Sequence, residues 1–299
     1  MIRRPPRSTH CISSAASDVY KRQLKTLLKK ADKNLHDINL VAYTAGPGLI
    51  GSLMVGETVA KTISNILDIE LLPINHLEGH ILAPGLEDDN LETPYLCLLV
   101  SGGHTQIIEC SDYGSYKILG ETVDDACGEA FDKVGKLLNL DYPGGPKVSK
   151  LAAGGDPARF NFPRALMKDR NLNFSFSGLK TAVLYALEDL EEKDYPDVAA
   201  SFQEAVVDVL IKKLAYAIEQ TGIKKLVCSG GVAANRLLRE RLTDMGKTSE
   251  LEVSYPKMEF CTDNAAMIAY AGFIRKKYNL KEYPTKYARP RWPLGELYD

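Results

Sequence analysis

Apolar positions along the first third of the chain switch between two periods. Leu24, Leu27, Leu28 and Ala31 recur every three to four residues, which predicts a helix over residues 23–33. A strand over Leu40–Thr44, a Gly-Pro-Gly turn at 46–48, a long amphipathic helix over 49–67 and a strand over 71–74 follow. His76–Leu82 reads as a short helix, ended by Pro84 and Gly85. Residues 95–100 form a continuous apolar run, and 105–109 and 116–119 alternate, which predicts a meander of three strands. Helical spacing returns over 124–138, 177–189 and 198–220, with Pro143-Gly144-Gly145-Pro146 breaking the chain between the first two. A second α/β stretch closes the sequence: strand 225–228, helix 233–245, strand 251–255 and helix 264–278. Strands alternating with helices indicate an α/β fold with mixed sheets.

Two apolar strands end in Ser-Gly-Gly, at Ser101-Gly102-Gly103 and at Ser229-Gly230-Gly231. They are what two related halves facing one cleft would show. A chain of 299 residues that is 45% hydrophobic can bury a sizeable core and divides most naturally into two domains. Its net charge of −2 creates no general field for nucleic acid, so any RNA contact needs a local patch or a partner. The six cysteines form no CxxC pair and read as reduced thiols of a cytoplasmic protein. No apolar run is long enough to span a bilayer.

Residues 1–22 are rich in Arg and Ser and lack periodicity, and they are expected to lie outside the fold. An organellar transit peptide has similar composition. The string fits better as something that resembles translated sequencing-adapter sequence, with the native chain starting near Gln23.

Asn75-His76-Leu77-Glu78-Gly79-His80 places two imidazoles one helical turn apart, with Cβ atoms about 5–6 Å apart. That pair can chelate a metal ion, although an isolated HxxxH more often binds none. Three of the five histidines fall between residues 76 and 104, which brings the metal reading level with the bland one. In a peptidase HExxH the glutamate follows the first histidine. Here Glu78 stands at i+2, about 200° around the helix, so it points away from the imidazoles. A third ligand must come from elsewhere. Asp263 is suitable by type, and it could equally cap the helix it precedes.

The glycine pairs allow backbone to approach a phosphate, although each alone is more often a plain turn. Neither a P-loop nor a dinucleotide fingerprint is present. The C-terminal Arg275, Lys276, Lys277, Lys281, Lys286, Arg289 and Arg291 interleave with Tyr278, Tyr283, Tyr287 and Trp292. Such a stretch could hold RNA phosphate and stack a base, or be a solvated tail.

Five strings occur in one order: Asn75–His80; Leu99-Val100-Ser101-Gly102-Gly103-His104-Thr105; Phe131-Asp132-Lys133-Val134-Gly135 with Tyr142–Pro146; Gly230–Asn235; and Cys261-Thr262-Asp263-Asn264. Together they resemble the TsaD family, the bacterial counterpart of the KEOPS catalytic subunit. The resemblance runs from about Gln23 to the C-terminus.

It implies a two-domain actin-like ATPase (ASKHA, RNase H-like) α/β fold. The implied activity is transfer of threonylcarbamoyl from threonylcarbamoyl-AMP to N6 of adenosine 37 in tRNAs reading codons that begin with A. The resemblance puts one divalent ion, Fe2+ or Zn2+, on His76, His80 and Asp263 as metal and catalytic residues. It puts an adenylate-type nucleotide on Leu99, Val100, Ser101, Gly102, Gly103, Asp132, Gly145 and Asn235. It implies tRNA, TsaB-like and TsaE-like partners, with helix 49–67 facing the TsaB-like protein.

The expected division is 1–22 outside the fold, 23–120 as an incomplete N-terminal subdomain, 121–262 as a C-terminal subdomain with a helical insert, and 263–299 as a helix returning to the metal site plus a basic tail. Family members begin with a strand and an acidic loop that the adapter-like string replaces, so this polypeptide is expected to be impaired. A metal-dependent peptidase, a non-catalytic scaffold of the same family and a sugar kinase on the same fold are the rival readings.

Overall fold

The computed structural model describes residues 22–88, 91–284 and 287–298. The expectation for the N-terminal stretch therefore lies outside the described residues, apart from Arg22. The chain divides into two compact units, Met1–Gly79 with Ile268–Asp299, and His80–Met267.

In unit one, residues 22–30 are helical (α1). Strand β1 (Leu40–Gly46) and strand β2 (Glu70–Asn75) pair in parallel, Leu40 opposite Glu70 through Thr44 opposite Ile74. A parallel pair needs a crossover, which helix α2 (Ile50–Leu67) supplies. It buries only the stripe Leu53, Ala60 and Ser64, leaving Leu49, Ile50, Met54 and Ile66 exposed.

Helix α3 (His76–Leu82) follows β2 directly. A 3-10 turn, Ala83–Leu86, then absorbs Pro84, so the proline ends the helix as expected. After α3, unit one resumes with the C-terminal part of a long helix, Ala265–Lys277. Its Gly272 lies so close to the sheet that an added Cβ would sit 2.8 Å from Ala42 Cβ.

Residues 288–291 run along the end of β1. Arg289 N donates to Ala45 O (2.7 Å), and Gly48 N donates to Pro290 O (3.1 Å). Trp292 is fully buried and meets Tyr283 edge-on, ring centres 4.7 Å apart. Within the basic and aromatic C-terminal segment Tyr278 and Tyr287 stay exposed, but Tyr283 and Trp292 do not form a base-stacking surface. Those rings are core, and Arg275 is buried with them.

Unit two is built on a five-stranded sheet in the order β5-β4-β3-β6-β7. Its strands are β3 (Tyr95–Val100), β4 (Thr105–Asp112), β5 (Ser115–Glu121), β6 (Lys225–Ser229) and β7 (Glu252–Ser254). The first three form the expected antiparallel meander, and β6 and β7 add in parallel beside β3. All six residues of β3 are buried, which explains their unbroken apolar run.

The meander pairs with β6 and so belongs to the second unit. The two Ser-Gly-Gly strings likewise do not mark two halves. They end adjacent parallel strands of one sheet.

Helices α4 (Cys127–Leu137), α5 (Gly144–Ala152), α6 (Ser177–Ala186), α7 (Tyr195–Thr221), α8 (Arg236–Ser249) and α9 (Met258–Cys261) complete the unit before α10 (Ala265–Lys277) leaves it. The core includes the edge-on pair Phe131 and Phe202, centres 5.0 Å apart. Helix α5 is absent from the sequence reading because its first turn is Gly144-Gly145-Pro146. Proline is tolerated there, where no intrahelical donor is needed. Asp132 Oδ1 accepts the exposed amides of Gly144 (2.7 Å) and Gly145 (3.3 Å). Glycine also lets α4 and α5 approach, since a Cβ on Gly135 would lie 2.8 Å from Gly144 Cα.

Candidate functional site

Helix α3 assigns a different task to each of its early positions. Asn75 caps it, its Oδ1 accepting from Leu77 N (2.9 Å) and Glu78 N (3.4 Å). Its Nδ2 donates to Trp292 O (2.9 Å), tying the helix start to the C-terminal segment. Leu77 and Ile81 enter the core. His76 is half-buried and His80 is 1% exposed, one turn apart on one helical face.

His80 Nε2 lies 3.1 Å from Asp263 Oδ1. Asn264, not Asp263, caps α10, its Oδ1 accepting from Met267 N (2.9 Å). That leaves the Asp263 carboxylate, 77% exposed, turned towards His80. The unit boundary falls inside α3, so His76 is fixed relative to His80 by their shared helix. His76, His80 and Asp263 each bring one ligand atom within 4.8 Å of the others. Two imidazole nitrogens and a carboxylate oxygen are a donor set suited to Zn2+ or Fe2+, with coordination positions left open.

Glu78 is on the other side of the helix and fully buried. Arg275 Nη1 donates to both its oxygens, at 3.0 and 3.3 Å, and the Tyr283 hydroxyl donates to Oε2. Burial works against the Arg275 charge, but Glu78 outweighs it and holds the guanidinium above its usual pKa. Burial, then the adjacent carboxylate, push the Tyr283 phenol well up. A carboxylate locked in this way cannot serve as the general base of a peptidase beside the imidazoles.

The glycine loops end β3 and β6 on the same edge of the sheet, where ligands of open α/β sheets bind. Ser101 folds the first loop tightly, its Oγ accepting from His104 N (3.0 Å) and Gly103 N (3.3 Å). Gly102 and Gly103 are exposed and face open space. Gly128 N of α4 donates to Ser101 O (3.1 Å). In the second loop Gly230 has φ +93°, and the 3-10 turn Gly231–Ala234 follows. A Cβ on Gly231 would lie 4.0 Å from Thr262 Cγ2, so this loop adjoins the residue before Asp263.

Arg239 ties the same two segments together. Its Nε donates to Ala233 O (2.6 Å), and its Nη2 donates to Pro256 O (3.0 Å) and Cys261 Sγ (3.2 Å).

Of the residues expected to meet a nucleotide, Ser101, Gly102 and Gly103 lie in an accessible loop. Leu99 and Val100 do not. Their side chains are fully buried and their backbones pair with β4. Asp132 and Gly145 form a pair of their own through the α5 cap. Asn235 caps α8 through Leu238 N (3.0 Å), while its Nδ2 donates to Ser149 Oγ and Gln203 Oε1, both at 2.8 Å. A nucleotide contact from that amide would require one of these bonds to open.

Sequence reading missed Asn75, Arg239 and Arg275 as parts of the site's frame. For Asn75 a signal existed, an N-cap residue type directly before the helix. Arg239 and Arg275 act over long range and left none.

Among the described residues, Cys97, Cys110, Cys127, Cys228 and Cys261 are buried and in no disulfide, and burial raises the thiols of Cys97, Cys127 and Cys228 out of the reactive range. No described helix is long and apolar enough to cross a membrane. Surface depressions of about 630 and 490 Å3, along α8 and at residues 161–169, contain neither His80, Asp263 nor the loop glycines.

A family model described as TsaD, tRNA N6-adenosine threonylcarbamoyltransferase, matches residues 13–270. The match begins inside the N-terminal stretch set apart above. Among solved structures, full-length HypF in a phosphate- and nucleotide-bound form aligns with TM-score 0.63 and 16% identity, covering 87% of this chain and 41% of that one. HypF of T. kodakarensis aligns with TM-score 0.59 and 17% identity, covering 76% and 40%. The chain therefore spans about two-fifths of the length of these structures. At such identity the likeness concerns the fold, a two-domain actin-like ATPase type of α/β protein. The family match is of another order, because it runs through every motif from Asn75 to Asn264, and the chain belongs to the TsaD family.

Proposed function

We propose that this chain transfers a threonylcarbamoyl group from threonylcarbamoyl-AMP to N6 of adenosine 37 in tRNAs reading codons that begin with A. The observation that carries the reading is the convergence of His76, His80 and Asp263 beside the Gly231 loop. In the transfer the adenosine amine forms a bond to the carbamoyl carbon and loses a proton. The carbon–oxygen bond to the adenylate breaks, and AMP leaves with the electron pair.

The donor is already activated, so the protein's work is to place it and exclude competing water. His76, His80 and Asp263 would hold one Fe2+ or Zn2+ ion, which when bound supplies Lewis-acid stabilisation of the carbamoyl oxygen. The Ser101–Gly103 and Gly230–Gly231 backbones are read as the cradle of the adenylate phosphate. Asp132 and Asn235 are read as framing the nucleoside by fixing the first turns of α5 and α8.

TsaB-like and TsaE-like proteins are the partners that this reading requires. The exposed Leu49, Ile50 and Met54 of α2 and its preceding residue support a TsaB-like contact on that face. The cytoplasm is the location proposed with this reading.

The test is transfer of labelled threonylcarbamoyl to tRNA by the purified chain with such partners. His76→Ala/His80→Ala is expected to lose bound metal and transfer together. Full transfer by a metal-free double variant refutes the metal assignment, and proteolysis without transfer refutes the function.

A further inference from the structure

We propose that Glu78 is a positioning residue for the metal set: gripped by Arg275 and Tyr283, it fixes the rotation of α3 about its own axis and thereby aims His76 and His80. The proposal rests on the reading of His76, His80 and Asp263 as ligands.

Helix α3 has seven residues, too few to hold its shape by backbone bonding alone. Something outside it must set its orientation. Leu77 and Ile81 bury against the core and select the inward face, but apolar contact is non-directional and leaves the finer angle to polar contacts. Asn75 fixes the start of the helix through Trp292, which leaves its turn about the axis free.

Glu78 supplies a directional constraint separate from the His80–Asp263 contact. One guanidinium nitrogen reaches both its oxygens, the Tyr283 hydroxyl reaches Oε2, and the Arg275 carbon stands 3.7 Å above the Tyr283 ring centre. Arg275 is itself fixed by donation to Lys281 O. A charge-assisted grip of this kind is directional.

Stability does not explain the arrangement, since a well-packed apolar pair of similar volume does as well in a buried site. Geometry does. Glu78 lies about 200° from His76 and about 200° from His80, so a helix rotation that frees it swings both imidazoles.

The full chain is titrated with Co2+, following the visible d–d absorption, and each variant is melted separately. Glu78→Gln is expected to melt cooperatively yet bind Co2+ about tenfold or more weakly, with shifted d–d bands, in the range seen when outer partners of a metal site are removed. Tyr283→Phe keeps the ion pair and is expected to bind more weakly than wild type but less so than Glu78→Gln, with the same direction of band shift. His80→Ala is expected to show no specific Co2+ band.

A Glu78→Gln protein that melts lower but keeps the wild-type affinity and spectrum overturns the proposal, while loss of binding in His80→Ala leaves the ligand reading intact. Should Glu78→Gln fail to fold, wild-type binding and spectrum in Tyr283→Phe overturn it. Wild-type binding by His80→Ala overturns the ligand reading and the proposal with it.

Discussion

Replacing Gly230 with alanine tests the claim that the two glycine loops are held by direct backbone contact between β3 and β6. Gly230 has φ +93° and ψ 167°, a region that side-chain-bearing residues avoid at a cost of about 1–3 kcal/mol. A Cβ there would stand 2.8 Å from the Val100 carbonyl carbon and nearer still to its oxygen. Unstrained carbon contacts begin at roughly 3.5 Å, so β3 and β6 must separate by about 0.7 Å. They are ladder neighbours, Leu99 opposite Ser229, so such a separation weakens a backbone bond worth about 1 kcal/mol. Strain and lost bonding together reach about 2–4 kcal/mol. At about 2–4 °C per kcal/mol for a unit of this size, the thermal midpoint should fall by roughly 10 °C.

Gly102→Ala is the internal control, because its Cβ meets nothing within 4 Å and its φ is ordinary. Calorimetry of both variants decides the matter. Equal, small shifts would refute the contact argument, and a large shift in Gly102→Ala alone would refute the loop geometry.

Asn235→Ala removes the α8 cap and strands Ser149 Oγ and Gln203 Oε1, at a cost of about 2–4 kcal/mol in urea unfolding. A loss below about 1 kcal/mol would contradict the bonding described. Burial alone would raise the pKa of Asp124, but bonds from Ser175, Phe176 N and Ser177 outweigh it and lower the pKa. The stabilisation from those bonds is present above the unfolded value near about 3.9 and disappears as pH falls through the lower folded value. Asp124→Asn should therefore be less stable than wild type at pH 6, the gap closing below about pH 4. An unchanged gap across that range in urea titrations would speak against it. Arg239→Ala should speed hydrogen exchange at residues 231–234 and 256–262 together, because one guanidinium holds both segments. Faster exchange in one segment alone would show that they are not coupled.

The parts legible in the sequence were those whose cause is local. Strand β3 could be read because burial on both faces leaves no polar position, and α3 because its histidines recur with the helical turn. What escaped was decided across long stretches of chain. Asp263 and Asn264 are adjacent and both able to cap, and only the fold shows that Asn264 takes the cap while Asp263 meets a histidine 183 positions away. Pro143-Gly144-Gly145-Pro146 reads as a break because the carboxylate that caps it, Asp132, belongs to the preceding helix. Basic residues among aromatics read alike whether the rings face solvent or each other, and here Tyr283 and Trp292 face each other in the core.

Glu78 joins the two kinds of information. Its place about 200° from the first histidine excluded the peptidase geometry from sequence alone. The same angle directs a carboxylate into the core, where it cannot stay charged without a cation and donors from elsewhere. That cation, Arg275, stands 197 positions further along the chain, and this distance in sequence is the measure of what local pattern leaves out.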